Sequence, residues 1–377
     1  MAECKKARFM NNNVACAIQS TITASSETSG FGVSNLKDVR RTKVWKAAGN
    51  FEIYSTNNTI YIDDGSPING TIPSGSYNGT TLATAVALVL NTISTGWTVS
   101  YNTTTYLFSI NHATATVQFS LTTDSIWNTL GYTGILDVIP NGTAYASNEI
   151  RIHNFEYIDI DLNTSAFAIG FLGFIGSVGD TLSISKNAVV KILADNVPIT
   201  FDIVQPVDIT LTYDDRGYLQ FFDAIADTNY RYWRILIQDE TNGNGPTSVS
   251  MGYLYLGTYI TFVTTNIARG FDKELIDPSS IQETNTGRRF FNKRNIYNAL
   301  NNLQIQLPCR AERLEFEQFV YDFGLAEPFF ISLDPGTNIS DALSELTYLV
   351  NFSSLPNFGH RFVDLYDIQP FSVREVV

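Results

Sequence analysis

A chain of 377 residues with 44% hydrophobic content has apolar material for about two or three cores, at roughly 100–200 residues per domain. Its 24 Lys and Arg against 37 Asp and Glu, a formal net charge of −13, exclude the broad basic surface that nucleic acid needs to displace counterions. Charged residues are only 16%, while 19 Tyr and 25 Phe favour pleated strands, so the composition points to a mainly β fold.

Residues 1–49 open with Lys5, Lys6 and Arg8, followed by Asn11-Asn12-Asn13 where an export signal would carry an apolar run. Neither export nor membrane insertion is expected, since the longest apolar stretch, residues 167–175, falls far short of the ~20 residues that span a bilayer. Residues 1–13 lack an apolar period and are expected to order only against neighbouring subunits.

Residues 50–148 read as a small inserted α+β domain. Phe51 and Ile53, the turn Asn57-Asn58, then Ile60 and Ile62 predict a hairpin. Leu82, Ala85, Val86, Val89, Leu90 and Ile93 recur at helical spacing, with Asn78 or Thr80 to cap the N-terminus. Trp97, Val99 and Tyr101 alternate, as do Tyr106, Phe108 and Ile110, and as do Val117, Phe119 and Leu121. A short helix over 124–130 closes on Gly131.

Residues 149–262 are nearly all strand, with runs at 157–162, 181–185, 189–193, 208–213, 218–222, 232–238 and 253–256. In the first run Ile158, Ile160 and Leu162 share one face and Asp159 and Asp161 the other. Short strands with Gly, Asn and Asp turns predict a sandwich or barrel, a jelly roll for preference. Residues 263–377 form a β-rich C-terminal assembly domain with one helix. Its segment 276–302 is polar and is also expected to order against neighbours. A strand at 303–307 leads to a helix over 311–323 that carries Phe316, Phe319, Val320 and Phe323 on one face, and a strand follows Pro328.

Catalytic constellations are not evident. His112, His153 and His360 sit in no nucleophile or metal motif, and the GxSxG elbow, HExxH and P-loop patterns are absent. Three carboxylate pairs, Asp63-Asp64, Asp159/Asp161 and Asp214-Asp215, fit solvated strand faces and turns better than the two acids of a glycosidase. Acidic turns lack regular calcium-loop spacing, and Cys4, Cys16 and Cys309 read as free thiols, so no metal or cofactor is expected. In the aromatic run near residue 230, alternate side chains must enter the core. That leaves Tyr230 and Tyr232 as candidate contacts for a glycan ring.

Ser34-Asn35-Leu36-Lys37-Asp38 leads to Thr42-Lys43-Val44-Trp45-Lys46. Further on come Tyr232-Trp233-Arg234-Ile235-Leu236-Ile237-Gln238-Asp239 and Met251-Gly252-Tyr253-Leu254-Tyr255-Leu256-Gly257. These pieces resemble the opening and closing strands of discoidin-like (galactose-binding-like) sandwiches found in phage tail proteins. The resemblance makes Asn35, Trp45, Trp233 and Gly257 framework positions, with Asn35 capping a turn, the tryptophans in the core and Arg234 on the opposite face. Thr71-Ile72-Pro73-Ser74-Gly75-Ser76-Tyr77 with Ser125-Ile126-Trp127-Asn128-Thr129-Leu130-Gly131-Tyr132 is similar to a small unit inserted in virion proteins. Glu327-Pro328-Phe329-Phe330-Ile331-Ser332-Leu333-Asp334 is similar to the C-terminal part of distal-tail and baseplate subunits.

The resemblance implies a discoidin-like jelly roll interrupted by a small α+β insert and followed by the β-rich C-terminal domain. The expected function is that of a structural, non-enzymatic protein of a phage tail tip or baseplate. It would be assembled in the host cytoplasm, form a homo-oligomeric ring in the virion and contact tail tube, hub and fibres. The alternative is a carbohydrate-binding module that reads a host-surface glycan through sandwich loops. The cysteine pair that staples many secreted discoidin lectins is missing, which argues against that alternative. A glycan depolymerase comes third.

Overall fold

Period-two alternation decides which side of each strand is buried, and here it builds two facing sheets. The computed structural model describes residues 7–17, 19–38, 42–49, 51–63, 67–103, 105–112, 118–119, 125–132, 144–147, 155–163, 166–176, 184, 188–200, 203–214, 217–222, 229–239, 249–262, 267, 271–283, 288–307, 309–333, 346–362 and 365–376. Among these residues the protein is mainly β. Most of the expected strands at 181–185 and 117–121, and His153, lie outside them.

The strands that carry the architecture on either side of residues 50–148 are β1 (Arg8–Asn13), β2 (Thr21–Ala24), β3 (Phe155–Asp161), β4 (Phe171–Ile175), β5 (Val189–Asp195), β6 (Val207–Thr210), β7 (Gly217–Phe221), β8 (Tyr232–Gln238) and β9 (Tyr253–Thr261). They continue as β10 (Asp272–Ile276), β11 (Ser280–Glu283), β12 (Arg289–Asn292), β13 (Tyr297–Leu307), β14 (Phe329–Ser332), β15 (Thr347–Ser354), β16 (Phe358–Phe362) and β17 (Leu365–Glu375).

A five-stranded antiparallel sheet runs β6-β5-β8-β3-β2. Its inner face presents Ile158 and Ile160 in register with Ile235 and Trp233. Opposite lie Leu172 and Phe174 of β4, Tyr218 of β7, and Leu254 and Leu256 of β9, all in the same apolar cluster. The second sheet has eleven strands. From Tyr213–Asp214 at one edge it runs β7-β4-β9-β1-β14-β15-β17-β13-β10, and β16 joins β17.

The N-terminal segment overturns an expectation. From residue 8 on, it does not wait for a neighbouring subunit but forms a central strand of the large sheet. Phe9 pairs with Ile260 of β9 on one side and with Ile331 of β14 on the other. Phe9 is fully buried and meets the rings of Phe262, Phe316 and Phe319 at 5.3–5.9 Å. Met10 faces the opposite way, into a cluster with Phe171, Tyr255 and Phe330. Only two apolar residues serve two different cores, so no periodicity betrays the strand.

The asparagine run that follows is a hydrogen-bonded seam. Thr258 Oγ1 donates to Asn11 Oδ1 at 2.9 Å, Asn12 N to the Tyr255 hydroxyl at 3.0 Å, and Asn13 Nδ2 to Leu254 O at 2.9 Å. Because β1 joins β9 to β14, the sheet runs without interruption across the boundary drawn at residue 262.

Residues 51–132 gather around their own apolar cluster, which includes Phe51, Ile60, Val86, Phe108 and Trp127. The helix α1 (Gly79–Ile93) is capped by Asn78, whose Oδ1 accepts from Thr81 N at 2.8 Å. Leu82, Val86 and Leu90 are buried, while Ala85, Val89 and Ile93 sit at the margin of the stripe. The short helix α2 (Ile126–Thr129) is followed by Gly131 at φ 86°, in the left-handed region.

The hairpin expected around Asn57-Asn58 does not form. Residues 51–53 pair with Gly75–Tyr77, and residues 59–63 with residues 67–71. Asn57 Oδ1 accepts from Tyr54 N at 2.7 Å, while Asn58 bonds Ile72 through backbone and side chain. Asn57 N also donates to Tyr54 O, so Asn57 closes a turn over residues 54–57 and Asn58 cross-links to Ile72, in place of a two-residue hairpin loop.

The helix α3 (Arg310–Phe323) buries Phe316, Phe319 and Val320 against β13 and β17, as its periodicity predicts. The described residues of the polar segment 276–302 form strands paired within the chain. They comprise the end of β10, a hairpin of β11 and β12, and the first half of β13.

Candidate functional site

On β3 the residues between the buried isoleucines must face outward, and the register sets what they meet. Asp159 lies opposite Thr23 of β2 and Arg234 of β8, and Asp161 lies opposite Thr21 and Tyr232. The two acids each receive an arginine fork. Arg234 Nε and Nη2 donate to Asp159 at 2.6 and 2.8 Å, and Arg231 Nε and Nη2 donate to Asp161 at 2.8 and 3.0 Å.

Each guanidinium also covers a ring. Arg234 lies 4.0 Å from the centre of Tyr157, and Arg231 lies 4.7 Å from that of Tyr232. Arg234 Nη2 also donates to Ile199 O at 3.1 Å, which anchors a loop over the sheet. Between that loop, at Pro198 and Ile199, and the side chains of Thr21, Thr23, Asp161 and Tyr232 lies a cleft of about 200 Å³.

The electrostatics of the cleft suit binding rather than proton transfer. The hydrogen bonds from Arg231 hold the Asp161 carboxyl below its usual range, against a smaller opposing effect of burial. Burial, the largest single effect, would depress Arg234, but the hydrogen bonds and charge of Asp159, with Tyr157 and Tyr54 beside it, together outweigh burial and raise it. A glycosidase acid needs a carboxyl held protonated near neutral pH, and Asp161 is shifted the wrong way. Threonine hydroxyls, carboxylate lone pairs and a tyrosine ring together can take up a small polyhydroxylated ligand.

The aromatic pair singled out in the sequence is split. Tyr232 lines the cleft, whereas Tyr230 packs edge-on against Trp233 at 6.0 Å, beside the sandwich core. Asn35 Nδ2 donates to Val44 O at 2.8 Å, tying the 3₁₀ turn Val33–Lys37 to the strand entry. Trp45 and Trp233 belong to one buried cluster, and their Nε1 atoms donate to Ser26 O and Tyr230 O.

Gly257 lies where β9 meets both Asn13 and Phe171, and a Cβ there would stand 1.7 Å from Asn12 O. Sequence reasoning missed Thr21, Thr23, Arg231 and the loop at 198–199. Only the pairing register brings them together, and the alternation of Asp159 and Asp161 is their one visible trace.

His112 is buried, with Nε2 3.0 Å from Thr95 O and its ring 4.7 Å from that of Trp97. Burial pushes the Cys16 thiol up to about 12, so it holds its proton and is a poor nucleophile. Among the described residues no group of His, Cys, Asp and Glu is arranged to hold a metal ion, and no helix is long and apolar enough to cross a membrane. No protein-family model matches the chain, and neither curated proteins nor solved structures include a match.

Proposed function

We propose that the chain is a structural subunit of a phage tail tip or baseplate, which works by assembling with copies of itself into a ring. In this reading the two facing sheets are a discoidin-like jelly roll with Asn35, Trp45, Trp233 and Gly257 as its framework. The partners are tail tube, hub and fibre proteins, and assembly takes place in the host cytoplasm. No catalytic step is involved.

One observation carries the proposal. Leu275, Ile281, Phe290, Phe291 and Ile296 are 57–70% exposed, all on or beside the β11–β12 hairpin. Apolar side chains concentrated on one projecting element mark a surface that is covered in the assembled state. Mass measurement of the purified chain under native conditions, with imaging of the particles, tests the reading. Closed rings are expected, and deletion of the gene from its phage should give tailless or tip-less particles. A deletion phage with normal particles would refute the assignment.

A second reading rests on the cleft over Asp159 and Asp161, which offers hydroxyls, carboxylates and the Tyr232 ring to a host-surface glycan. A glycan array with the intact chain and with Tyr232→Ala distinguishes it. Binding lost in the variant favours a carbohydrate-binding module, and no binding by either protein removes that reading.

A further inference from the structure

Helix α3 has a second apolar edge that its own core does not use. Its inner face is buried, yet Leu314, Tyr321 and, just past the helix end, Leu325 are 49–75% exposed. With Gln318 they are spaced by four, three and four residues, which places them along one side of the helix. Glu315, Asp322 and Glu327 border this stripe and are exposed. Residues 310–327 carry five acids against two arginines.

The β11–β12 hairpin has the opposite character. From residue 280 to 296 it carries Arg288, Arg289, Lys293 and Arg294 against the single acid Glu283, beside the exposed Ile281, Phe290 and Phe291. It projects next to β10, the edge strand of the large sheet, whereas α3 packs over β13 and β17. Both surfaces are exposed within one chain, so neither covers the other there.

We infer that the β11–β12 hairpin of one copy docks on the Leu314–Tyr321–Leu325 side of α3 in a second copy. The hairpin phenylalanines would cover the helix stripe, and the arginines and lysine would meet Glu315, Asp322 and Glu327. Two features of the same chain are thus complementary in both apolar surface and charge, which singles out a second copy as the partner. The contact joins different surfaces of the two copies. It therefore repeats head to tail and closes into a ring if the rotation between copies permits. The inference rests on the ring-forming reading and adds the two surfaces that make the contact.

The test uses the full chain, with two variants that change only exposed side chains. One is the hairpin variant Phe290→Ser/Phe291→Ser and the other the helix variant Leu314→Ser/Tyr321→Arg. Sedimentation should show each variant alone as a monomer, its self-association weakened at least about tenfold. Mixed in equal amounts they should give a dimer, because the intact hairpin of the second fits the intact helix of the first. A charge exchange, Lys293→Glu/Arg294→Glu combined with Glu315→Lys/Asp322→Lys in one chain, should restore the ring that either half abolishes.

Thermal melting of each variant close to that of the parent shows that folding is intact. Rings formed by the hairpin variant would overturn the docking while leaving the ring-forming reading in place. A parent chain that stays monomeric up to about 0.1 mM would overturn both. Monomeric variants that give no dimer on mixing point to a different interface and reject the inference.

Discussion

Two tryptophans far apart in the sequence meet in the core between the facing sheets. Trp45 and Trp233 lie in one cluster and are essentially inaccessible to solvent. Replacing either with Ala should lower unfolding free energy by about 3–5 kcal/mol in urea titration, the cost expected for a large aromatic lost from a core. Asp161 makes a pH-dependent contribution of definite sign. Its folded-state pKa lies below the ordinary 3.8, so its stabilisation is present above about pH 4 and is lost as pH falls through the lowered value. Asp161→Asn should therefore flatten the stability profile below pH 4 and leave the slope between pH 6 and 8 unchanged, as read from unfolding midpoints across buffers. At this scale the sequence was informative wherever burial followed alternation. Ile158, Ile160 and the acids between them face as their period demands. It was not informative where burial depends on the neighbouring strand, as for Tyr230 and Tyr232, whose different surroundings come from the loop at 198–199 and the Trp233 ring.

Elements with several apolar residues at a regular spacing were legible in the sequence, and shorter ones were not. The Phe316, Phe319 and Val320 face of α3, continued by the half-buried Phe323, and the Leu82, Val86 and Leu90 face of α1 each repeat over about two turns. A strand such as β1 offers only Phe9 and Met10, each belonging to a different core, and its asparagines look like loop until Leu254, Tyr255 and Thr258 lie beside them. The misread hairpin has the same origin, since Asn57 and Asn58 satisfy their hydrogen bonds with Tyr54 and Ile72 rather than across a two-residue turn. The cluster around Phe51, Phe108 and Trp127 takes its buried members from described residues between 51 and 132, with Tyr145 packed against it. Residues 50–148 expressed alone should therefore unfold in one cooperative transition by circular dichroism, with a margin of a few kcal/mol. A fragment without a transition would mean that the surrounding chain holds this region in shape.

In the whole molecule, the large sheet is the device that makes two cores interdependent. Phe9 enters the cluster of Phe316, Phe319 and Phe371, while residues 14 and 15 just after β1 enter that of Trp45 and Trp233. A chain ending at residue 269 would strip β14 from β1, expose Phe9 by removing Phe316 and Phe319, and take Phe330 away from the cluster around Met10. It is expected to be poorly soluble and to melt well below the full protein, as light scattering and calorimetry would show. If that truncation stayed monomeric and melted like its parent, the sheet would be only a passive bridge. Topology of this kind was hidden in the sequence because the partners of β1 are separated from it by hundreds of residues and share no pattern with it.

The same strand has a consequence for how the protein is made. During translation β1 leaves the ribosome long before Tyr253–Thr261 and Phe329–Ser332, the segments that flank it in the finished sheet. At roughly 5–20 residues per second it waits for tens of seconds with both edges bare, while the region around Trp127 has already been made and can fold. Closure of the large sheet is therefore a late event that depends on residues beyond 330 having emerged. Products released before that point would carry an unsealed β-edge, which marks them for aggregation or degradation.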